Sequence, residues 1–257
     1  NRIKVTNDKE FSPNSLTPYL KQKPNPALIA GWNPFLSIYN WSNGNGKAWD
    51  KFVQKVGQAP VIYDADLVES SVDNILNHLE YQGYYGSEVE SEIKVKGKKV
   101  KVSYNVTLGK RFPIDNIEYI LPEKGEFKEA FLQDTSMMTV KVGDFLSEAS
   151  LEAESERSSS TMRNLGFYDF NKNHYFFEAD TLTDPSKASL TLTVNEYTRN
   201  ESARNAHPIR KYYLDKVEIS YPENLKIRPK VLKDLTTLAP GQIYSEDAVN
   251  NTYNRLS

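Results

Sequence analysis

The chain has 257 residues, with 32 Lys and Arg against 34 Asp and Glu, for a formal charge of −2. There is no basic excess to hold a nucleic-acid backbone. With no Cys at all, disulfides, thiolate metal sites and cysteine nucleophiles are excluded, and no run approaches the roughly 18 apolar residues of a membrane-crossing helix. P-loop, nucleophile-elbow and dinucleotide fingerprints are absent, and His78, His174 and His207 share no ligand spacing. No cofactor, metal or enzymatic activity is expected, and the length fits one large domain or two to three small ones.

Residues 2–6 alternate as an edge strand does, and residues 16–23 form a short helix candidate stopped by Pro24 and Pro26. An aromatic-rich insertion follows at about 24–57. It holds Trp32, Trp41 and Trp49 with Phe35, Tyr39 and Phe52. The expectation is that it covers the core of the first domain; the alternative is an exposed aromatic surface for a partner or ligand, a sugar platform being the enzymatic version.

Residues 64–108 read as helix, corner and hairpin. Val68, Val72, Ile75, Leu76 and Leu79 share a helical face. Asp64 caps the start and Asp66 complements the helix dipole. Gly83 sits where a left-handed C-cap wants glycine, followed by Tyr84 and Tyr85. Val89, Ile93 and Val95 alternate, Lys96-Gly97-Lys98 marks a turn, and Val100, Val102, Tyr104, Val106 and Leu108 alternate again. Glu88, Glu90 and Glu92 form the solvated side. Lys94, Lys96, Lys98, Lys99 and Lys101 cluster at the turn, as a soluble rim or as a contact to an acidic partner or lipid headgroup.

A second copy starts with strand residues Phe112, Ile114, Ile117 and Tyr119 and a short helix over 127–133. A long helical stretch at 145–165 closes with Gly166, Phe167 and Tyr168. Tyr175, Phe177 and Ala179, then Ala188, Leu190, Leu192 and Val194, supply a hairpin. Asp64 lies 19 residues before Gly83, and Ser147 lies 19 before Gly166, so one domain type is used twice. Residues 155–161 are wholly polar, which leaves the packing of the second long helix without an apolar stripe. A polar linker at 198–208 precedes a third strand signal (Leu214, Val217, Ile219), a short helix at 229–235, and a second lead-in, Gly241 to Ser245, matching Gly143 to Ser147. Val249, Tyr253 and Leu256 lie at i, i+4 and i+7 of the next helix. Asn1 is not a natural start and Ser257 falls inside a helical pattern, so both ends are expected to be trimmed. The next glycine-aromatic corner is expected near position 264.

A tandem strand-helix-helix-strand-strand unit with a Gly-aromatic corner resembles the POTRA domain. The run from Tyr19 to Asn25, with Leu28, Gly31 and Leu36 to Asn40, and the run from Gly166 to Phe170, is similar to the TamL-type branch of the BamA/TamA superfamily. The resemblance implies an α+β fold of tandem βααββ domains, each a three-stranded mixed sheet with two helices on one face. The domains are expected at 1–110, 111–198 and, as a linker and truncated third unit, 199–257. It also implies the periplasmic side of a Gram-negative outer membrane, a following β-barrel, and an N-terminal lipid as in a surface-antigen lipoprotein. Unfolded outer-membrane or surface proteins are the implied clients, with a TamB-like protein as partner, and the chain itself is expected to be a soluble monomer.

If the last strand of each unit is central, the strand before it is an edge. An edge can take up an extended client strand. The candidate partner-binding residues are Ser87, Val89, Ser91, Ile93 and Val95 in the first unit, and Phe170, Tyr175 and Phe177 in the second. The competing reading is a spacer or docking module for one fixed partner such as a TamB-like protein.

Overall fold

The computed structural model describes residues 1–25, 34–39, 41–42, 48–97, 99–123, 125–201, 204, 206–221 and 228–256. They fall into two compact units, Asn1–Lys110 and Arg111–Ser257.

The first unit contains β1 (Arg2–Val5), a 3-10 helix (Pro13–Tyr19), α1 (Pro34–Tyr39), α2 (Ala48–Val56), α3 (Ala65–Tyr81), β2 (Glu88–Lys96) and β3 (Lys99–Thr107). The sheet order is β1-β3-β2, with β1 parallel and β2 antiparallel to β3. Val102, Tyr104 and Val106 of β3 are buried against Leu16, Leu20, Val68, Ile75 and Leu79. Each fully buried side chain of this kind contributes about 1.5–3 kcal/mol. The stretch expected to be a helix at 16–23 is instead 3-10 and ends at Tyr19. Pro18 stands inside it, and a proline there cannot donate to an α-helical ladder. The extended stretch after it is pinned by Ser71 of α3, whose Oγ accepts from the Lys21 and Gln22 amides at 2.9 and 3.3 Å. Gln22 Oε1 in turn accepts from the Asp64 amide at 2.8 Å, fixing the start of α3.

The inserted helices do not cover the core. No residue of α1 or α2 belongs to the first unit's core cluster. Their own centre is small, with Val53 and Asp50 buried, while Trp41 and Trp49 are 61% and 57% exposed. A nine-residue helix with one buried apolar side chain has no room to cover a sheet as well. Trp32 lies outside the described residues.

The second unit contains β4 (Ile114–Ile120), α4 (Glu126–Asp134), α5 (Glu148–Asn164), β5 (Tyr175–Asp180) and β6 (Ala188–Val194), then α6 (Pro229–Leu235) and α7 (Glu246–Leu256). Its sheet order is β4-β6-β5, again parallel on one side of the central strand and antiparallel on the other. Helix α5 packs although its sequence is polar. Ser155, Ser158 and Ser159 are buried, and their small side chains let the helix approach closely. Glu154, 1% exposed, accepts from the Thr139 amide and hydroxyl at 2.9 and 2.7 Å. Arg157 joins Glu154 and Asp134 at 2.6 and 2.7 Å, and both carboxylates push its pKa up. An ion network thus stands where α3 uses aliphatic packing. The core of this unit is aromatic, with Phe127, Phe131, Phe167, Phe170 and Tyr175 clustered beside Met162 and Leu192.

The backbone bonds that open this unit recur near its end. Gly143 donates to Ile114, Ile114 to Asp144, and Leu146 to Phe112; likewise Gly241 donates to Leu214, Leu214 to Gln242, and Tyr244 to Tyr212. Gly143 and Gly241 both have positive φ. Past that point the expected third strand is not formed. Tyr213 makes one bridge to Ile243, and residues 214–221 have no regular structure, because no described strand lies beside them to complete a ladder. Helix α7 forms with Ser245 at its cap and is held to α5 by polar contacts, Arg163 to Glu246 at 2.8 Å and Asn164 to Asp247 at 2.8 Å. Tyr253 and Leu256 remain exposed.

The corners have the geometry their glycines predict, with φ +85° at Gly83 and +103° at Gly166. A Cβ at Gly166 would also fall 2.7 Å from the Ile243 side chain. Gly83→Val and Gly166→Val are each expected to destabilise their unit by roughly 1–3 kcal/mol, read by denaturant unfolding; no loss in either variant would contradict the corner assignment. Arg157→Leu leaves Glu154 and Asp134 buried without a cation, and is expected to cost about 3–5 kcal/mol in the same measurement.

Candidate functional site

The ladder direction follows from one bond. Thr6 N donates to Val106 O at 3.0 Å, so Val106 turns its main-chain groups toward β1. Successive residues in a strand turn to opposite sides. Ser103, Asn105 and Thr107 therefore face β2, and their register partners Glu92, Glu90 and Glu88 complete the ladder. The residues between them, Val89, Ser91, Ile93 and Val95, direct N–H and C=O groups away from the sheet. None of these groups has a partner among the described residues. The side chains of the same four residues lie on the face of Val102, Tyr104 and Val106. Val89 packs against the core, Ser91 is exposed, and Ile93 and Val95 are 44% and 70% exposed. Glu88, Glu90 and Glu92 stand exposed on the other face.

Ser87 sits just before β2 and closes its base. Its Oγ donates to the Tyr84 carbonyl at 2.8 Å and accepts from the Gly109 amide at 2.9 Å. Tyr85 and Lys110 exchange two 2.9 Å backbone bonds beside it. Tyr84 meets Phe11 edge to face at 5.6 Å. The corner thus anchors the near end of the edge strand, while its far end runs free of helix cover.

The second unit differs. Ala188 N donates to Pro113 O on the β4 side and Asn195 N to His174 O on the β5 side, so Tyr175, Phe177 and Ala179 direct their main chain outward. The chain returning from β6 covers the start of that edge. Arg199 N donates to Asn173 O at 2.9 Å and Arg199 Nε to Tyr175 O at 2.9 Å, while Tyr197 and the Arg199 guanidinium lie against Phe176. Phe170 and Tyr175, expected at a partner surface, are both 1% exposed. Phe170 precedes the strand and stacks on His174, and burial pushes the Tyr175 phenol pKa up. Both are core side chains. Phe177 packs at the margin of the same cluster. At the corner, Phe167 is buried and Tyr168 is exposed, meeting Tyr244 edge to face at 4.9 Å. The covering role of Arg199 had no signal in the sequence beyond its place in a polar stretch.

Each of the two α+β units places a β-hairpin's second strand between its first strand and a parallel N-terminal strand, with helices on one face. Residues 1–109 match the POTRA family, described as surface antigen variable number repeat. No curated protein matches the chain. Among solved structures it is similar to POTRA3-5 of BamA from Haemophilus influenzae, at 12% identity and a TM-score of 0.48, covering 99% of this chain and 83% of that one. It is also similar to POTRA1-3 of the periplasmic domain of Omp85 from Anabaena, at 10% identity and a TM-score of 0.30, covering 100% and 82%. A further similar structure is the N-terminal domain of Omp85 from Thermosynechococcus elongatus, at 10% identity and a TM-score of 0.29, covering 76% and 64%.

Proposed function

We propose that this chain is the periplasmic POTRA region of an outer-membrane protein assembly or translocation factor, and that it takes up extended client polypeptide along β2. The observation that carries the reading is the outward main chain of Val89, Ser91, Ile93 and Val95. Main-chain pairing is nearly independent of the client's side chains, which suits a protein that meets many unfolded substrates. Ser91 offers little side-chain bulk at the middle of the strand, and Ile93 and Val95 offer apolar contact to alternate client residues. In the second unit Arg199 takes the first outward carbonyl of the edge, that of Tyr175, which favours the first unit as the point of entry.

The same reading takes residues 111–198 as a second POTRA domain and 199–257 as a linker and the start of a third. The recurrence of the Gly143 bond set at Gly241 supports it. Assignment to the TamL-like branch rests on the Tyr19–Asn25 and Gly166–Phe170 similarities. With it come a TamB-like partner, a following barrel and a lipid anchor. Leu28, Gly31 and Asn40, which belong to the same similarity, lie outside the described residues.

Proline substitution separates the two sides of β2. Ser91→Pro removes an outward amide and should keep the fold, since proline is tolerated where an edge N–H faces solvent. Binding of an extended peptide from an outer-membrane β-barrel is expected to weaken about tenfold or more, the value of one lost hydrogen bond at the upper end of its range. Glu90→Pro removes an inward amide, and should lower the melting temperature while leaving binding per folded molecule intact. Equal, unchanged binding in both variants would sink the reading. Binding to a TamB-like domain without binding to any barrel peptide would favour the fixed-partner alternative.

A further inference from the structure

The tip of the β2–β3 hairpin carries a charge arrangement that strand capture does not explain. Lys94 stands directly opposite Lys101, and Lys96 directly opposite Lys99. By the ladder direction derived above these are hydrogen-bonded pairs, about 5.5 Å apart at Cα, and like charges so placed destabilise a hairpin. One acid relieves them, Glu92, with its carboxylate 2.9 Å from Lys94 Nζ. No Asp or Glu occurs in the sequence between Glu92 and Asp115. The reverse face of the same tip is apolar. There Val95 pairs with Val100 and Ile93 with Val102. Val102 is buried, but Ile93, Val95 and Val100 are 44%, 70% and 40% exposed, beyond the reach of the helices.

We propose that this tip rests on an anionic phospholipid surface. The four paired lysines meet headgroup phosphates, and Ile93, Val95 and Val100 enter the boundary between headgroups and acyl chains. A bilayer surface supplies both halves of the arrangement: a dense layer of phosphates neutralises a two-by-two array of lysines, and an apolar layer lies a few ångströms below it. An acidic polypeptide would neutralise the lysines and leave Val95 and Val100 in water. The hairpin would thereby hold the open β2 edge close to the membrane.

Vesicle flotation tests this with the chain as it stands. Partition onto vesicles of phosphatidylglycerol and phosphatidylcholine is expected to exceed partition onto pure phosphatidylcholine, and to weaken with salt. Each lysine near an anionic surface changes the partition coefficient about fivefold, so Lys96→Gln, Lys99→Gln and Lys101→Gln together should lower it roughly a hundredfold. The same triple variant should melt at the parent's temperature or above, because it removes both like-charge pairs. Val100→Thr keeps β-branching, lies on β3 outside the capturing edge, and should weaken partition severalfold. Equal partition onto both vesicle types, or a triple variant that floats like the parent, would overturn the proposal. So would displacement from vesicles by polyglutamate combined with an unaffected valine variant, which would assign the lysines to an acidic polypeptide instead. The outward amides of Val89 and Ser91 survive in every variant, so strand capture is scored independently.

Discussion

Each sheet depends on the last strand of its unit lying in the middle. A central strand bonds on both sides, and β3 does so at residues 103–106, between β1 and β2, as β6 does at residues 189–193, between β4 and β5. Their hairpin partners, β2 and β5, spend only alternate groups, and the rest face outward by geometry. The N-terminal strands β1 and β4 join as parallel partners only because the helices carry the chain across one face and back. That arrangement leaves an edge in each unit, and what happens to the edge differs. In the first unit it is unpartnered among the described residues. In the second, the chain emerging from β6 folds back and gives it Arg199 and Tyr197. An exposed edge is a liability in most proteins, so a nine-residue edge strand whose outward groups have no partner among the described residues fits use rather than neglect.

The two units reach similar architectures through different interiors. Helix α3 presents Val68, Ile75 and Leu79 to its sheet. Helix α5 presents serines, Met162 and the Glu154–Arg157–Asp134 network, and the bulk missing from its face is supplied by five aromatic rings from elsewhere in the unit. Buried ion networks are weak contributors to net stability but costly to break. Their geometric demands hold α5 against α4 in one register, since Arg157 reaches both carboxylates from one rotamer.

Much of this was legible in the sequence, and the failures have physical reasons. Strand alternation in β3 and β6 was readable because one face of each is buried, and β2 carries the same alternation although only Val89 packs against the core. Asp64, Ser147 and Ser245 were readable as caps because a short side-chain oxygen before a helix has one common use. Gly83 and Gly166 were readable because only glycine sits easily at their φ. Burial of α5 was not readable, since pattern reasoning counts Glu, Arg and Ser as solvent-facing and cannot see an ion network close between two helices. The tryptophans misled in the other direction: large apolar side chains imply a core, yet Trp41 and Trp49 lie outward on an insertion too small to bury them. Phe170 was placed on the edge although β5 begins only at Tyr175, and Tyr175 is on the edge but turns its side chain into the core, which alternation does not tell. The third strand signal at Leu214, Val217 and Ile219 was sound as a pattern but lacks a described neighbour to bond with.

Amide hydrogen exchange along β2, resolved by residue, tests the central claim most directly. In the free protein, the amides of Glu90, Glu92 and Lys94 should exchange slowly and those of Val89, Ser91, Ile93 and Val95 quickly. Adding an extended barrel-derived peptide should slow the second set and leave the first unchanged. Uniform protection along β2 in the free protein, or fast exchange at Val89, Ser91, Ile93 and Val95 that persists with the peptide bound, would contradict an open edge that captures strands.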